Sequence, residues 1–320
     1  MISVIFLTRR CPRNCDYCNI RNSPLKRELT AKEWLKAFAI IKSLGVEFNL
    51  ILGNEPWLLG RNLPIIVNSV DIPYAVYTTC MPELFDPLYN ELFTMGLNNL
   101  SCGIDFPPVV CKNKNEPTYK KSLDGFRGIK ATLRDFPEVD CHATITVHKE
   151  NIEYVPSMIR QFSMFGITIH LNFIHWNKDG GYDFFSDENE LRDLLFRTKS
   201  DLRMVENIFE TIPVLPDSKI FGIEMFSEPM EKLINMKWHC GGDPSGGPTV
   251  DADGSLRCCG YRRGKRTPKL SIFDLPEKWV DWKLNVFEDA MDCPGCAWAC
   301  SWVYNYWKHK DPKNIKPFTQ

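Results

Sequence analysis

Alternation of strand-like and helical segments constrains this chain more than any other feature. Six short β-prone runs stand at 3–8 (SVIFLT), 47–52 (EFNLIL), 73–79 (PYAVYTT), 99–105 (NLSCGID), 141–148 (CHATITVH) and 168–174 (TIHLNFI). Segments of helical periodicity separate them. Segment 30–45 carries the helical signal in full: Thr30 as N-cap, Glu33 completing a capping box, and Gly45 as the stop. Helical patterns near 84–95, 119–134 and 153–165 keep the rhythm. Such repeats build a parallel sheet covered by helices. Six units fall short of the eight that close a barrel, so the expected fold is α/β, a partial (β/α)6 TIM-like barrel.

Two of the runs alternate in polarity. In 141–148, His142, Thr144, Thr146 and His148 share one face, and Ala143, Ile145 and Val147 the other. In 168–174, Thr168, His170 and Asn172 oppose Ile169, Leu171 and Phe173. Parallel strands covered on both sides normally read as continuously apolar. A polar face on two successive strands points to an interior that holds a ligand; the competing reading is polar groups satisfied by one another. Beyond 175 the rhythm stops. The stretch HWNKDGGYDFF (175–185) sits where barrel loops carry substrate contacts, or serves as a connecting turn. Helical patterns follow at 187–199 and 217–236, and a cysteine-rich segment punctuated by Gly and Pro begins at 238. The expected organisation is a barrel over 1–186, a helical connection over 187–237, and a small extension over 238–320 built from a β-hairpin and helices.

The chain has 320 residues, 25% of them charged, and a formal net charge of −1, which argues against a surface that tracks nucleic acid throughout. The opening apolar run is six residues long and meets Arg9 and Arg10, so neither a signal peptide nor a membrane span is expected. The 13 cysteines are clustered. Three fall at 11–18, six at 240–300, and Cys80, Cys102, Cys111 and Cys141 are scattered, three of them in or beside strand-like runs where a thiol acts as a small hydrophobe. Clustered C-x-x-C spacings in a chain of this size read as a metal protein of a reducing cytoplasm rather than a disulfide framework.

Cys11, Cys15 and Cys18 follow the first strand in TRRCPRNCDYCNI. They are one ligand short of a closed tetrahedral zinc site, and suit a [4Fe–4S] cluster whose fourth iron is open to an exchangeable ligand. This C-x-x-x-C-x-x-C spacing, with Tyr17 before the last cysteine, resembles the radical S-adenosylmethionine (SAM) superfamily. The loop ILGNEP (51–56) after the second strand resembles that family's Gly-Gly-Glu-Pro motif, with Asn54 in place of the second Gly. The resemblance implies that Cys11, Cys15 and Cys18 hold the cluster and that SAM chelates its open iron. It further implies reductive cleavage to methionine and a 5′-deoxyadenosyl radical, which removes hydrogen from a substrate. Gly53, Asn54, Glu55 and Pro56 would receive the SAM amino group, and Tyr17 and Ile20 would flank the adenine. Ser101, Asp105, Thr144 and Thr146 are candidates for ribose and carboxylate contacts by strand position, with His170 and Asn172 on the same polar interior.

In the extension, PTV, the turn DADG and SLRCC form a candidate hairpin. Cys240, Gly254 and Cys259, followed by CPGCAWAC with Cys293, Cys296 and Cys300, resemble the SPASM/twitch modules that carry auxiliary clusters. Six cysteines, with Cys258 and Cys259 adjacent, imply one auxiliary [4Fe–4S] cluster. Cys240, Cys259, Cys293 and Cys296 are the first-choice ligands, with Cys258 and Cys300 as contenders. A four-cysteine zinc ribbon is the competing reading. The basic stretch 257–269 (Arg257, Arg262, Arg263, Lys265, Arg266, Lys269) could contact phosphate or nucleic acid with Tyr261 stacking, but reads first as a solvated loop or a docking site for an acidic electron donor. The aromatic run 298–308 reads as a helix packed on the barrel. The resemblance implies a flavodoxin- or ferredoxin-type donor and a small-molecule or peptide substrate, with a nucleoside or base as alternative. A leader-recognition domain ahead of the barrel is not expected, since the first strand begins at residue 3. A non-catalytic iron–sulfur or zinc protein for electron transfer or binding is the alternative from a different class.

Overall fold

The computed structural model describes residues 1–19, 25–111, 114–177, 182, 184–212, 219–267, 270–297 and 304, and of residues 224 and 227 the backbone alone. The expected six strands form as β1 (Ile2–Phe6), β2 (Phe48–Leu52), β3 (Tyr74–Thr78), β4 (Asn99–Gly103), β5 (Asp140–Val147) and β6 (Thr168–Phe173), each pairing in parallel with the next. Their connections carry α1 (Ala31–Ser43), α2 (Asn62–Val67), α3 (Pro82–Thr94), α4 (Pro108–Cys111), α5 (Pro117–Asp135) and α6 (Val155–Met164). The capping box of α1 forms as its sequence dictates, the Thr30 side chain accepting from the Glu33 amide and the Glu33 carboxylate from the Thr30 amide.

The sheet continues past the six units at both edges. β7 (Ile220–Phe221) pairs with β6, and β8 (Gly246–Val250) pairs in parallel with β1, giving the order β7-β6-β5-β4-β3-β2-β1-β8-β9 and an open sheet. β9 (Leu256–Arg257) returns antiparallel to β8, so the predicted hairpin forms and its first strand also extends the barrel sheet. Sequence alone did not place β8 there, because a short Gly-rich run gives no sign of its partner.

Register divides the side chains into two sets. Val4 pairs with Leu50, Leu50 with Ala75, Tyr77 with Ser101, Gly103 with Thr144, and Thr146 with Asn172, so parity is kept around the arc. On one face Ile5, Ile51, Val76, Cys102, Ile145 and Leu171 pack under Trp34, Phe38, Phe85, Ile129 and Phe162 of the helices, and every one of these is buried. Each such side chain contributes about 1.5–3 kcal/mol on removal from water. The opposite face is split. Val4, Phe6, Phe48, Leu50 and Ala75 make it apolar over β1–β3, whereas Ser101, His142, Thr144, His170 and Asn172 make it polar over β4–β6. The scattered Cys80, Cys102, Cys111 and Cys141 are buried and free of disulfides, as their apolar settings suggest.

The region after β6 departs from expectation. Residues 188–195 form turns, not a helix, and Leu191 and Leu195 pack with Ile174, Trp176, Tyr182 and Met236. The helix begins later as α7 (Lys199–Thr211), where Thr198 and Asp201 make a capping box. The pattern read at 217–236 is broken by Gly222 (φ 67°) and Pro229 into β7, a 3-10 turn over Ile223–Ser227, and α8 (Met230–Ile234). The next helix, α9 (Leu275–Met291), buries Trp282, Val286 and Ala290, and Cys258 beyond the hairpin contacts it. Among the described residues no helix is long and apolar enough to cross a membrane. The aromatic run at 298–308 lies outside the described residues apart from Tyr304.

Candidate functional site

The loop after β1 is pinned before it reaches its first cysteine. Thr8 Oγ1 donates to the Glu28 carboxylate at 2.9 Å, and the Arg9 amide donates to the same group at 2.7 Å. Cys11, Cys15 and Cys18 follow, all half-buried free thiols, with the Cys18 amide donating to the Cys15 carbonyl at 3.0 Å. α5 holds the loop from one side. Arg13 pairs with Asp124, Thr118 Oγ1 donates to Asp16 at 3.0 Å, and the Tyr17 hydroxyl donates to Asp105 at 2.6 Å beside the Lys121 ammonium. Lys121 also bridges to Asp105 at 2.5 Å, and Asp105 accepts the Thr146 amide at 2.9 Å through its other oxygen. Burial opposes the Lys121 charge, but Asp105 and Tyr17 outweigh it and hold the ammonium well above its ordinary range. Burial pushes Cys11 up to about 12 and Cys15 to about 11. Burial raises the thiol of Cys141 in the same way, so the rise reflects desolvation of the loop.

The second loop lies against the first. Gly53 (φ 101°) brings its backbone so close to the end of β1 that a Cβ would stand 2.8 Å from the Thr8 carbonyl. Only glycine fits there. The Glu55 amide donates to the Arg10 carbonyl at 3.2 Å, tying the two loops together. Asn54 needs no left-handed backbone, since among the described residues only Cys80 and Met236 are non-glycine positions with positive φ. Asn therefore replaces glycine without strain. Its side-chain oxygen and nitrogen are both buried without a hydrogen-bond partner, so a donor and an acceptor are presented together beside the cysteine loop. That pair suits the zwitterionic end of an amino acid. Pro56 opens a 3-10 turn capped by Glu55. The Glu55 carboxylate is fully buried and accepts from the Trp57 amide at 3.1 Å, Thr78 Oγ1 at 2.7 Å and the Thr79 amide at 2.9 Å.

The remaining candidates spread along the polar half of the interior. Ser101 and Thr144 exchange a hydrogen bond at 3.1 Å, and Thr144, Thr146 and Asn172 are half-exposed. His170 is buried deeper, with Tyr77 and His142 each 3.2 Å from one ring nitrogen. Ile20 lies outside the described residues. Three site residues escaped the sequence reading. Lys121 carried a usable signal, a lysine on the face of α5 that also bears Thr118, Ser122 and Gly125. Tyr77 is half-exposed at the end of β3 and is placed by register alone. His148, noticed only as part of a polar face, is buried between Tyr17 and Phe106 with both ring nitrogens lacking partners, and burial pushes its pKa down to about 4.

The later cysteines converge on one cavity. Cys240, Cys258, Cys259, Cys293 and Cys296 line it together with Tyr182, Trp238 and Tyr261. Backbone amides point at the sulfurs: Arg262 to Cys259 at 3.3 Å and Gly295 to Cys293 at 3.4 Å, as Arg13 does to Cys11 at 3.4 Å. Cys258 instead turns its Sγ to the Val286 carbonyl in α9, at 3.8 Å. Its hydrogen bond to Cys259, with the amides of Tyr261 and Arg262, lowers Cys259 to about 7. Cys300 and Lys269 lie outside the described residues. Among the described residues no three His, Cys, Asp or Glu side chains are grouped so as to hold a single metal ion. Carboxylates hold much of the basic stretch: Arg257 and Arg263 contact Asp251, and Arg266 contacts Glu288, Asp289 and Asp292. Asp251 also takes Arg9 Nε at 2.7 Å, joining the end of β8 to the first cysteine loop.

An open parallel-rich barrel with cysteines after its first strand defines a class, and the comparisons specify it. Residues 5–162 match the model of the radical SAM superfamily. It is 24% identical over 176 residues to the PqqA peptide cyclase of Granulibacter bethesdensis, covering 51% of this chain and 44% of that protein. It is 25% identical over 161 residues to a probable GTP 3′,8-cyclase of Methanopyrus kandleri, covering 50% and 52%. The chain thus spans about half the length of the curated relatives it matches. Among solved structures, Streptococcus suis SuiB bound to precursor peptide SuiA superposes with a TM-score of 0.63 at 14% identity, over 94% of this chain and 70% of that one. The structure of anSMEcpe with bound AdoMet and Cp18Cys peptide superposes with a TM-score of 0.58 at 13% identity, over 98% and 97%. At these identities the likeness shows the fold.

Proposed function

We propose that this chain is a radical SAM enzyme that modifies a peptide, with Cys11, Cys15 and Cys18 as ligands to three irons of a [4Fe–4S] cluster. The observation that carries the reading is the junction of two loops: the loop of Cys11, Cys15 and Cys18 is tied through Arg10 and Glu55 to a loop whose Asn54 amide is buried and unpartnered. A [4Fe–4S] cluster held by Cys11, Cys15 and Cys18 with SAM beside it would supply reductive SAM cleavage and hydrogen abstraction from a substrate. The chain's own part is to bind and orient. Gly53 lets the loop backbone reach the cluster edge, Asn54 offers a donor and an acceptor to the SAM amino acid end, and Lys121, Asp105 and Tyr17 fix the cysteine loop. Thr144, Thr146 and Asn172 line the substrate chamber.

A peptide substrate is supported by the printed descriptions of three relatives: the PqqA cyclase, SuiB with SuiA, and anSMEcpe with Cp18Cys. The GTP cyclase relative keeps a nucleotide as the second reading, while the carboxylate partners of the 257–269 run speak against phosphate capture by Arg266. We assign an auxiliary [4Fe–4S] cluster to Cys240, Cys259, Cys293 and Cys296. Cys258 is the weaker contender because its thiol bonds to α9. The barrel over 1–186, the connection over 187–237 and the cluster module over 238–320 remain the working division. We keep a flavodoxin- or ferredoxin-type donor as the partner: Arg10, Lys26 and Arg27 line a cleft with Cys11, with Glu28 paired to Arg10 and Glu33 to Arg27. We place the protein in a reducing cytoplasm on the ground of its clustered C-x-x-C spacings.

Anaerobic reconstitution tests the reading. The expected result is two [4Fe–4S] clusters per chain by Mössbauer spectroscopy, and 5′-deoxyadenosine from SAM with dithionite. Zinc at the first cysteines, or a reduced cluster that leaves SAM intact, would overturn it.

A further inference from the structure

The polar half of the barrel interior contains a continuous chain of four side chains that leads out of the barrel, away from the cysteine loops. The Tyr77 hydroxyl lies 3.2 Å from His170 Nδ1. His170 Nε2 lies 3.2 Å from His142 Nδ1, and His142 Nε2 lies 2.9 Å from Asp140 Oδ2. We propose that this chain is a proton relay, with Tyr77 as its inner terminus in the substrate chamber and Asp140 as its outlet to solvent. The proposal rests on the barrel interior being the reaction chamber.

Three features support conduction over mere polar satisfaction. The first is where the chain ends. Asp140 opens β5 and its side chain is 53% exposed, whereas His142 and His170 are buried. A network that served only to satisfy buried groups has no need to surface. At the other end Tyr77 is half-exposed on the inner face, in the apolar cluster that also takes in Leu52 and Cys18.

The second feature is direction. Asp140 accepts, so His142 carries its proton on Nε2 and accepts on Nδ1. His170 then donates from Nε2 and accepts on Nδ1, and Tyr77 donates to it. One assignment of neutral tautomers satisfies all three bonds in a single sense. The Asn99 amide satisfies the assignment only when turned: Nδ2 lies 3.3 Å from His142 Nε2, and turning it so that Oδ1 accepts the ring N–H leaves Nδ2 unpartnered in place of Oδ1. Burial and the neighbouring His142 hold His170 neutral, as a two-way carrier must be.

The third feature is rigidity. Phe221 stacks on the His170 ring at 4.7 Å with a 17° interplanar angle, and His142 meets the same ring edge-on at 5.2 Å. The ring planes that align the bonds are held by packing.

In the relay the Tyr77 oxygen accepts a proton from an acidic N–H, O–H or activated C–H of a substrate. The phenol's own proton passes to His170 Nδ1, the His170 Nε2 proton to His142 Nδ1, and the His142 Nε2 proton to Asp140 and then to water. One proton leaves the chamber, and both imidazoles end neutral in the opposite tautomer.

The test reads proton movement in the full-length, anaerobically reconstituted protein with 15N-labelled histidine, and needs neither SAM nor substrate. It therefore fails separately from the radical SAM reading, which stands or falls on 5′-deoxyadenosine. The 15N shifts are expected to show both rings protonated on Nε2. Transfer to D2O is expected to exchange the His170 ring proton about tenfold or more slowly in Asp140→Asn than in the parent, with Asp140→Glu restoring the rate because it keeps an exposed carboxylate. The opposite or mixed tautomers, an unchanged exchange rate in Asp140→Asn, or failure of Asp140→Glu to restore it would overturn the relay.

Discussion

The two cysteine regions use one device in two settings. In both, a backbone amide two or three residues along points at a sulfur: Arg13 at Cys11, and Gly295 and Arg262 at Cys293 and Cys259. Around the first region the supports are charged, namely Arg13 with Asp124 and Lys121 with Asp105. Around the second they are aromatic, with Tyr182, Trp238 and Tyr261 lining the cavity. The acidities differ as well. Cys11 and Cys15 are pushed up to about 12 and about 11, while Cys259 is lowered to about 7. The first region is thus charged and half-open beside an unpartnered amide, and the second is enclosed by aromatic side chains.

Replacing Cys11, Cys15 and Cys18 together by Ala breaks this comparison most severely. SAM cleavage should vanish and about four irons per chain should be lost, while the later cysteines keep theirs; iron assay and Mössbauer spectra would read both. If all iron disappears, the two regions are not independent. Lys121→Met comes next. It leaves the Asp105 carboxylate buried without its cation, at a cost of about 3–5 kcal/mol in a denaturant titration, and the cysteine loop should loosen while the later region is unaffected. Gly53→Ala should cost about 1–3 kcal/mol from positive φ and the contact with Thr8, and should weaken SAM binding in equilibrium dialysis more than iron content. Cys258→Ser should be nearly silent in iron content where Cys259→Ser loses the second cluster.

A pH series gives the smallest effect. The first region must shed protons from thiols whose pKa values are raised, so its reconstitution should quicken from pH 7 to 9. Cys259, lowered to about 7, is already half ionised at the bottom of that range, so the second region should respond less. Initial rates of iron uptake in variants lacking one set or the other would show the contrast.

Much of the barrel was legible because period and register agree: six runs of β-branched and apolar residues became six parallel strands, and the polar face read in 141–148 and 168–174 turned inward. The turns at 188–195 were misread because Leu191 and Leu195 have helical spacing yet pack locally with Trp176 and Met236. The local cap that decides the matter lies later, at Thr198 and Asp201. Within the site, the cysteine spacing and the 53–56 loop were readable as short motifs. Lys121, Tyr77 and the choice between Cys258 and Cys259 were not, since they depend on which way one residue turns once strands and helices have packed. Spacing along the chain carries no record of that.

The pairing of β8 with β1, and of Asp251 with Arg9, has a consequence for anyone who would cut the chain. The later cysteine segment looks portable on paper. Trimmed away before Gly246, it would leave a raw hydrogen-bonding edge beside the first strand and a guanidinium stranded without its carboxylate. The two halves are welded at the seam where the first cysteine loop begins, and transplanting one without the other would damage both.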